Sequence, residues 1–241
     1  MATQRKQDDI KRLLASNCHQ ATINLNNQMK RYISHKGVNG IHYINIEETW
    51  QKIKLAARLI AAVQHPEDVM VVCSRIYGQR AAIKFAGYTH CKSTSSSRWT
   101  PGTLTNYQTL KYEEPRVIIV TDPRSDFQAI KEASYVNIPV IALCDSDSPL
   151  HYVDVVIPCN NRSTESISMV YWMIAREVKI LRGELSKDEE WDVMVDLFYH
   201  KTLPTAEQKE AEEEEGVEGA EEKVAEVKEG EAVENTDTKN W

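Results

Sequence analysis

The chain has 241 residues, 41% hydrophobic and 27% charged, with a formal net charge of −7, which is enough for one substantial core and a tail. Its five cysteines are odd in number and show no CxxC spacing, which argues against a disulfide framework and for a reducing compartment. No apolar leader opens the sequence and no run approaches a membrane span, so secretion and membrane insertion are not expected and a soluble cytosolic or nuclear protein is.

The charge is unevenly spread. Residues 205–241 hold 14 Asp/Glu against 4 Lys, a balance of −10, whereas residues 1–204 hold 25 Lys/Arg and 22 Asp/Glu, or +3. The expected organisation is therefore an α/β domain over 1–204 and a disordered acidic tail over 205–241. A mildly basic body permits an anionic partner without demanding one.

Along the body, a first helix is expected over Asp9 to Ala15 and a short strand at His42-Tyr43-Ile44. Asn45, with Glu48 three residues on, is placed to cap a helix through "IEETWQKIKLAARLIAAVQ", whose Trp50, Ile53, Ala57, Ile60 and Ala61 fall at helical spacing. "DVMVVCS" (68–74) is a continuous apolar run of strand length, as in a parallel sheet covered on both faces. "YGQRAAIKFAGY" reads as helix, and the polar "HCKSTSSSRWTPGTLTNYQ" as a long loop. Strand Val117 to Val120, helix Ser125 to Tyr135, and strands Val140 to Leu143 and Val153 to Ile157 follow. A helix from Thr164 to Arg182 is apolar nearly all round, with Gly183 at its C′ position. Ser186 with Glu189 forms a capping box for a last helix, Asp188 to Tyr199. Alternating buried strands and helices predict an α/β fold around a doubly wound, mostly parallel sheet of about five strands.

Three places carry candidate chemistry. Asp122, Asp126, Asp145 and Asp147 stand at or beyond strand ends, where doubly wound folds place ligands, and would suit Mg²⁺ and phosphoryl transfer. The competing reading makes them turn and cap residues; no base, nucleophile or lysine stands at a recognisable spacing. In "SRIYGQRAAIKF" (74–85), Arg75, Gln79, Arg80 and Lys84 surround a helix start receptive to phosphate. That segment lacks GxxxxGK[ST] and GxGxxG, so its pattern points to a nucleotide only weakly, the phosphate of a larger nucleic acid fits as well, and a solvated basic helix face is the plain alternative. In "CKSTSSSRWTPGTLTN" (91–106), Lys92 and Arg98 supply charge, Trp99 a stacking surface, and hydroxyls such as Thr103 hydrogen bonds, a composition suited to RNA. The alternative there is a flexible insertion. The adjacent pairs Cys18-His19 and His90-Cys91 lack the further ligands of a zinc site.

"SRIYGQRAAIKFA", "RWTPGTLTN", "EPRVIIVTDPRSDFQAIKEASYVNIPVIALCDSDSPLHYVDVVIPCNN" and "YWMIAREVKILRG" together resemble the universal S-two family of small-subunit ribosomal proteins. The resemblance is to its eukaryotic and archaeal version, also called the SA or laminin-receptor precursor family, and covers about residues 8–200. It implies a three-layer α/β/α, flavodoxin-like domain without catalysis or cofactor, assembled late onto the small subunit. Small-subunit rRNA and neighbouring ribosomal proteins are the implied partners, with no membrane, and maturation of precursor rRNA the implied process. The family's "GQR" helix falls on Gly78, Gln79 and Arg80, and its "RxTPGT" loop on Arg98 and Thr100 to Thr103. The segment Ile157 to Gly183, which family members have been credited with using to bind laminin, is expected to be buried here.

Overall fold

A computed structural model describes residues 2–94, 98–186 and 189–201; the expected acidic tail lies outside them. In the main sheet, strands β3 (Val69–Val72), β4 (Lys92–Thr94), β5 (Val117–Val120), β6 (Val140–Cys144) and β7 (Val155–Pro158) run in the order β4-β3-β5-β6-β7. Every neighbouring pair is parallel. Renumbered within the sheet, this is 2-1-3-4-5, the flavodoxin-like order, in which chain progression reverses between β3 and β5. A separate antiparallel hairpin joins β1 (Ile33–Lys36) to β2 (His42–Ile44).

Alternating side chains along each strand enter opposite layers. Val69, Val71, Val117, Ile119, Ile141 and Leu143 face a cluster shared with α1 (Ala2–Ala15), α2 (Ile46–Ala62), α3 (Ile76–Thr89) and α5 (Thr164–Arg182). Met70, Val72, Ile118, Val120, Val140 and Ala142 face the other side. There α4 (Phe127–Tyr135) shares the cover with Met29 and Tyr32 of a 3-10 helix (Asn27–Tyr32) and with Trp99 and Leu104 of the loop past β4. The result is the expected three-layer α/β/α domain.

Local signals explain most boundaries. Asn45 accepts from the Glu47 N–H at 3.1 Å, opening α2. Gly183 ends α5 at φ +81, with the Gly183 and Glu184 N–H groups returning to Ile180 and Lys179. The helix is buried over most of its length between α2 and α3, so the Ile157 to Gly183 segment is largely core.

Four expectations are corrected. The first helix begins at Ala2 rather than Asp9, held by the Lys6–Glu47 and Arg176–Asp9 pairs at 2.9 and 2.8 Å. Strand β1, absent from the sequence reading, pairs with β2. The loop expected over 90–108 contains β4, an edge strand of polar residues that pairs with β3. The last helix does not form among its described residues; only a 3-10 turn at Val195–Phe198 is present. Trp191, Val193 and Val195 pack on the core at alternate positions, and the Trp172 indole N–H donates to the Val193 carbonyl at 2.7 Å. These contacts are made by a bend at 192–193 and the 3-10 turn that follows, and they prevail over the capping box.

Candidate nucleic-acid interface and the sheet switch point

The C-terminal ends of β3 and β5 border the topological switch point, where a fold of this order ordinarily holds a ligand. Here the chain's own side chains occupy the place. Arg75, leaving β3, meets Asp122 Oδ2 at 2.5 Å, donates through Nε to Ser125 Oγ at 2.9 Å, and also bonds the Tyr77 hydroxyl. Asp122 in turn accepts from the Arg124 N–H at 3.1 Å, Ser125 Oγ at 2.8 Å and Asn161 Nδ2 at 3.2 Å. Asp126 accepts from the Ser74 N–H at 3.1 Å, tying the two strand ends together.

The remaining aspartates are similarly engaged. Asp145 accepts from the Ser146 N–H at 2.6 Å with Arg162 at 3.6 Å, and Asp147 pairs with Arg162 at 2.6 Å and Arg124 at 3.4 Å. Burial pushes the Asp126 and Asp145 carboxyls up to about 6. Among the described residues no group of three or more His, Cys, Asp or Glu is arranged to hold a metal. Three arginines and a set of turn donors engage Asp122, Asp145 and Asp147, whereas Asp126 is engaged by the Ser74 N–H and its second oxygen, like that of Asp145, accepts no hydrogen bond. The sequence reading missed Arg124, Asn161 and Arg162, although Arg124 stands two residues from Asp122 in "TDPR".

A packing constraint closes the crevice further. Gly78, in the first turn of α3, sits so close to the strand ends that an added Cβ would lie 2.8 Å from Cys73 Sγ and 3.2 Å from Thr121 Cγ2. Thr121 Oγ1 is also 2.7 Å from the buried Tyr171 hydroxyl, whose pKa burial raises.

The expected RNA-binding residues separate into two groups. Arg80 is exposed on α3, its Nε donating to the Leu197 carbonyl at 3.1 Å; Lys84 is half-buried on the same helix. Lys92 stands exposed on β4, 3.6 Å from Glu113, and Arg98 is exposed beyond it. Gln79 turns back to the Ser74 carbonyl at 3.4 Å. Trp99, expected to offer a stacking surface, is 7% exposed and belongs to the core under α4; Thr103, 5% exposed, donates to the Thr100 carbonyl at 2.7 Å. The loop is pinned by Glu132 of α4, which accepts from the Gly102 N–H at 2.9 Å. Arg75, Trp99 and Thr103 are thus engaged within the fold, whereas Arg80, Lys92 and Arg98 are exposed and Lys84 is half-buried. From Val69 to Tyr112 the chain carries these cations and Lys111, and no Asp or Glu.

Comparison with known proteins identifies the family. A family model described as ribosomal protein S2 matches residues 13–114 and 111–180. The chain is 53% identical over 204 residues to small ribosomal subunit protein uS2B of Schizosaccharomyces japonicus, covering 85% of this chain and 71% of the relative. It is 54% identical over 215 residues to small ribosomal subunit protein uS2 of Chaetomium globosum, covering 89% and 73%. With its counterpart in Aspergillus clavatus it shares 53% over 232 residues, covering 95% and 78%. With half its residues shared across most of the chain, and a ligand crevice filled from within, the chain belongs to the ribosomal protein S2 family, a family of structural, non-enzymatic proteins.

Proposed function

We propose that the protein is a structural constituent of the small ribosomal subunit that binds small-subunit rRNA and neighbouring ribosomal proteins. On this reading it serves subunit assembly, precursor-rRNA maturation and translation, and works on cytoplasmic ribosomes after passing through the nucleus and nucleolus. The plugged switch point is the observation that carries the reading: the enzyme-like crevice is used for internal cohesion, and the exposed cations lie outside it. Arg80, Lys84, Lys92 and Arg98 contact phosphates, while Arg75, Gln79, Trp99 and Thr103 keep the contacting segments in shape. The exposed Lys92–Glu113 pair is weak enough to yield to a phosphate.

Such phosphate-dominated binding depends steeply on salt. The protein should cosediment with small subunits in a sucrose gradient at low salt and be released as salt rises. Recovery only in the free pool at low salt would overturn the proposal.

A further inference from the structure

The β1–β2 hairpin carries a second acid-free stretch. Between Asp9 and Glu47 the chain contains no Asp or Glu, and Lys30, Arg31, His35 and Lys36 all stand exposed within a few residues of one another. Ser34, His35 and Lys36 face solvent along β1, which pairs with β2 alone among the described strands. The other side of β2 is taken by the Gln20–Tyr43 bridge, so β1 is the outer edge.

Aromatic rings accompany the charge. His35 stacks on Tyr43 with centroids 4.8 Å apart and planes at 18°, and Tyr43 stacks on His19 at 5.8 Å and 19°. His35, the exposed end of this row, presents a flat π surface beside Lys36. Arg31 lies over the Tyr32 ring at 5.3 Å, which fixes its direction.

The element is also firmly seated. Asn26 ties it down: its Nδ2 donates to the Ser148 carbonyl at 2.9 Å and its backbone N–H to the Ser146 carbonyl at 2.8 Å, while its Oδ1 accepts from the Gln28 N–H at 3.2 Å. The Thr22 N–H donates to Ser146 Oγ at 3.1 Å. Met29 and Tyr32 enter the same apolar cluster as Trp99 and Leu104. Both acid-free segments thus help to cover one face of the sheet.

We infer that the β1–β2 hairpin is a second RNA-contact element, taking phosphates on Lys30, Arg31 and Lys36 and an unpaired base against the His35–Tyr43 stack. Cations with no ion-pair partner among the described residues, set beside stacked rings on a rigid support, match a single-stranded or looped RNA. This inference rests on the rRNA-binding reading above.

The test uses the full chain and two probes, an unstructured RNA of about 20 nucleotides and a duplex of equal length, with affinity read by anisotropy over a salt series. The Lys30→Ala/Arg31→Ala/Lys36→Ala variant should lose about 2 from the log–log salt slope and bind both probes about tenfold or more weakly, since each phosphate contact contributes roughly 0.7 to 0.9. His35→Ala should weaken the unstructured probe several-fold and leave the duplex nearly unchanged. All four side chains are exposed, so unchanged melting is expected and is the folding control. An unchanged slope in the triple variant, alongside a reduced slope in Arg80→Ala/Arg98→Ala, overturns the hairpin assignment and leaves the rRNA reading standing. A triple variant that binds both probes normally but no longer enters small subunits makes the hairpin a protein contact, which also overturns it. A parent chain that binds neither probe at low salt overturns both.

Discussion

Arg75 and Asp122 show how burial converts an ion pair into a structural requirement. The Asp122 side chain is 2% exposed and that of Arg75 24%, so losing the cation strands a charge that water can barely reach. Removing one partner of a well-buried pair costs about 3–5 kcal/mol, and partial exposure of Arg75 lowers the figure here to about 2–3 kcal/mol. Arg75→Ala should lower stability by that amount in urea unfolding, and Arg75→Ala/Asp122→Asn should recover part of it; a double variant as unstable as the sum of both singles would argue against the pairing. Asp126 supplies a prediction in pH. Its carboxyl rises from an ordinary 3.8 to about 6 through burial, so the native state keeps a proton that the unfolded chain has released. Its contribution to stability is complete below about pH 4 and is lost as pH rises through about 6. Asp126→Asn keeps an acceptor for the Ser74 N–H and cannot titrate. The variant should therefore gain on the parent between pH 5 and pH 7.5, by at most about 3 kcal/mol from a shift of about two units. Identical differences in unfolding midpoint at the two pH values would refute this.

Helix α3 carries two glycines whose substitution should act in opposite directions. Alanine in a helix normally stabilises by about 0.5–1 kcal/mol relative to glycine. At Gly87 an added Cβ meets nothing within 4 Å, so Gly87→Ala should be stabilising by that amount. At Gly78 the same methyl would press on Cys73 Sγ and Thr121 Cγ2, and overpacking costs about 1–3 kcal/mol. A thermal melt of each variant checks the signs; stabilisation by Gly78→Ala would mean that α3 does not sit tight on the strand ends. The long buried elements were legible because their signals are redundant: "VIIV" and "VIALC" are apolar throughout, and α5 has both length and a terminal glycine. Strand β4 was not, since a polar edge strand is defined by its neighbour rather than by its own residues. In the segment through Val193 a capping signal competed with two-residue alternation, and tertiary packing of Trp191 decided it. Trp99 shows the same limit at the site: composition suggested an exposed platform, while Leu104 and α4 supply a core for it to enter.

At the scale of the whole molecule, the expected contact residues separate into one group on α3 and another on β4 and the loop past it. Binding through several such weak contacts gains from loops already held in their bound shape, because ordering entropy is then not lost on association. Glu132 tests whether that preorganisation matters here. Its carboxylate is 3% exposed, accepts from the Gly102 N–H at 2.9 Å, and is itself held by Gln128 Nε2 at 2.9 Å. Glu132→Ala removes a negative charge from beneath a basic loop, so simple electrostatics predicts tighter association with RNA. Preorganisation predicts the reverse: the loop loosens around Gly102, Trp99 leaves its seat more often, and Arg98 samples many positions. We expect faster proteolysis between Arg98 and Lys111, together with a several-fold loss of small-subunit incorporation in competition with the parent chain. Glu132→Gln, which keeps the length and one acceptor, should fall between the two. Accelerated proteolysis with incorporation equal to or better than the parent's would show that charge alone governs binding and that the loop's order is incidental to it.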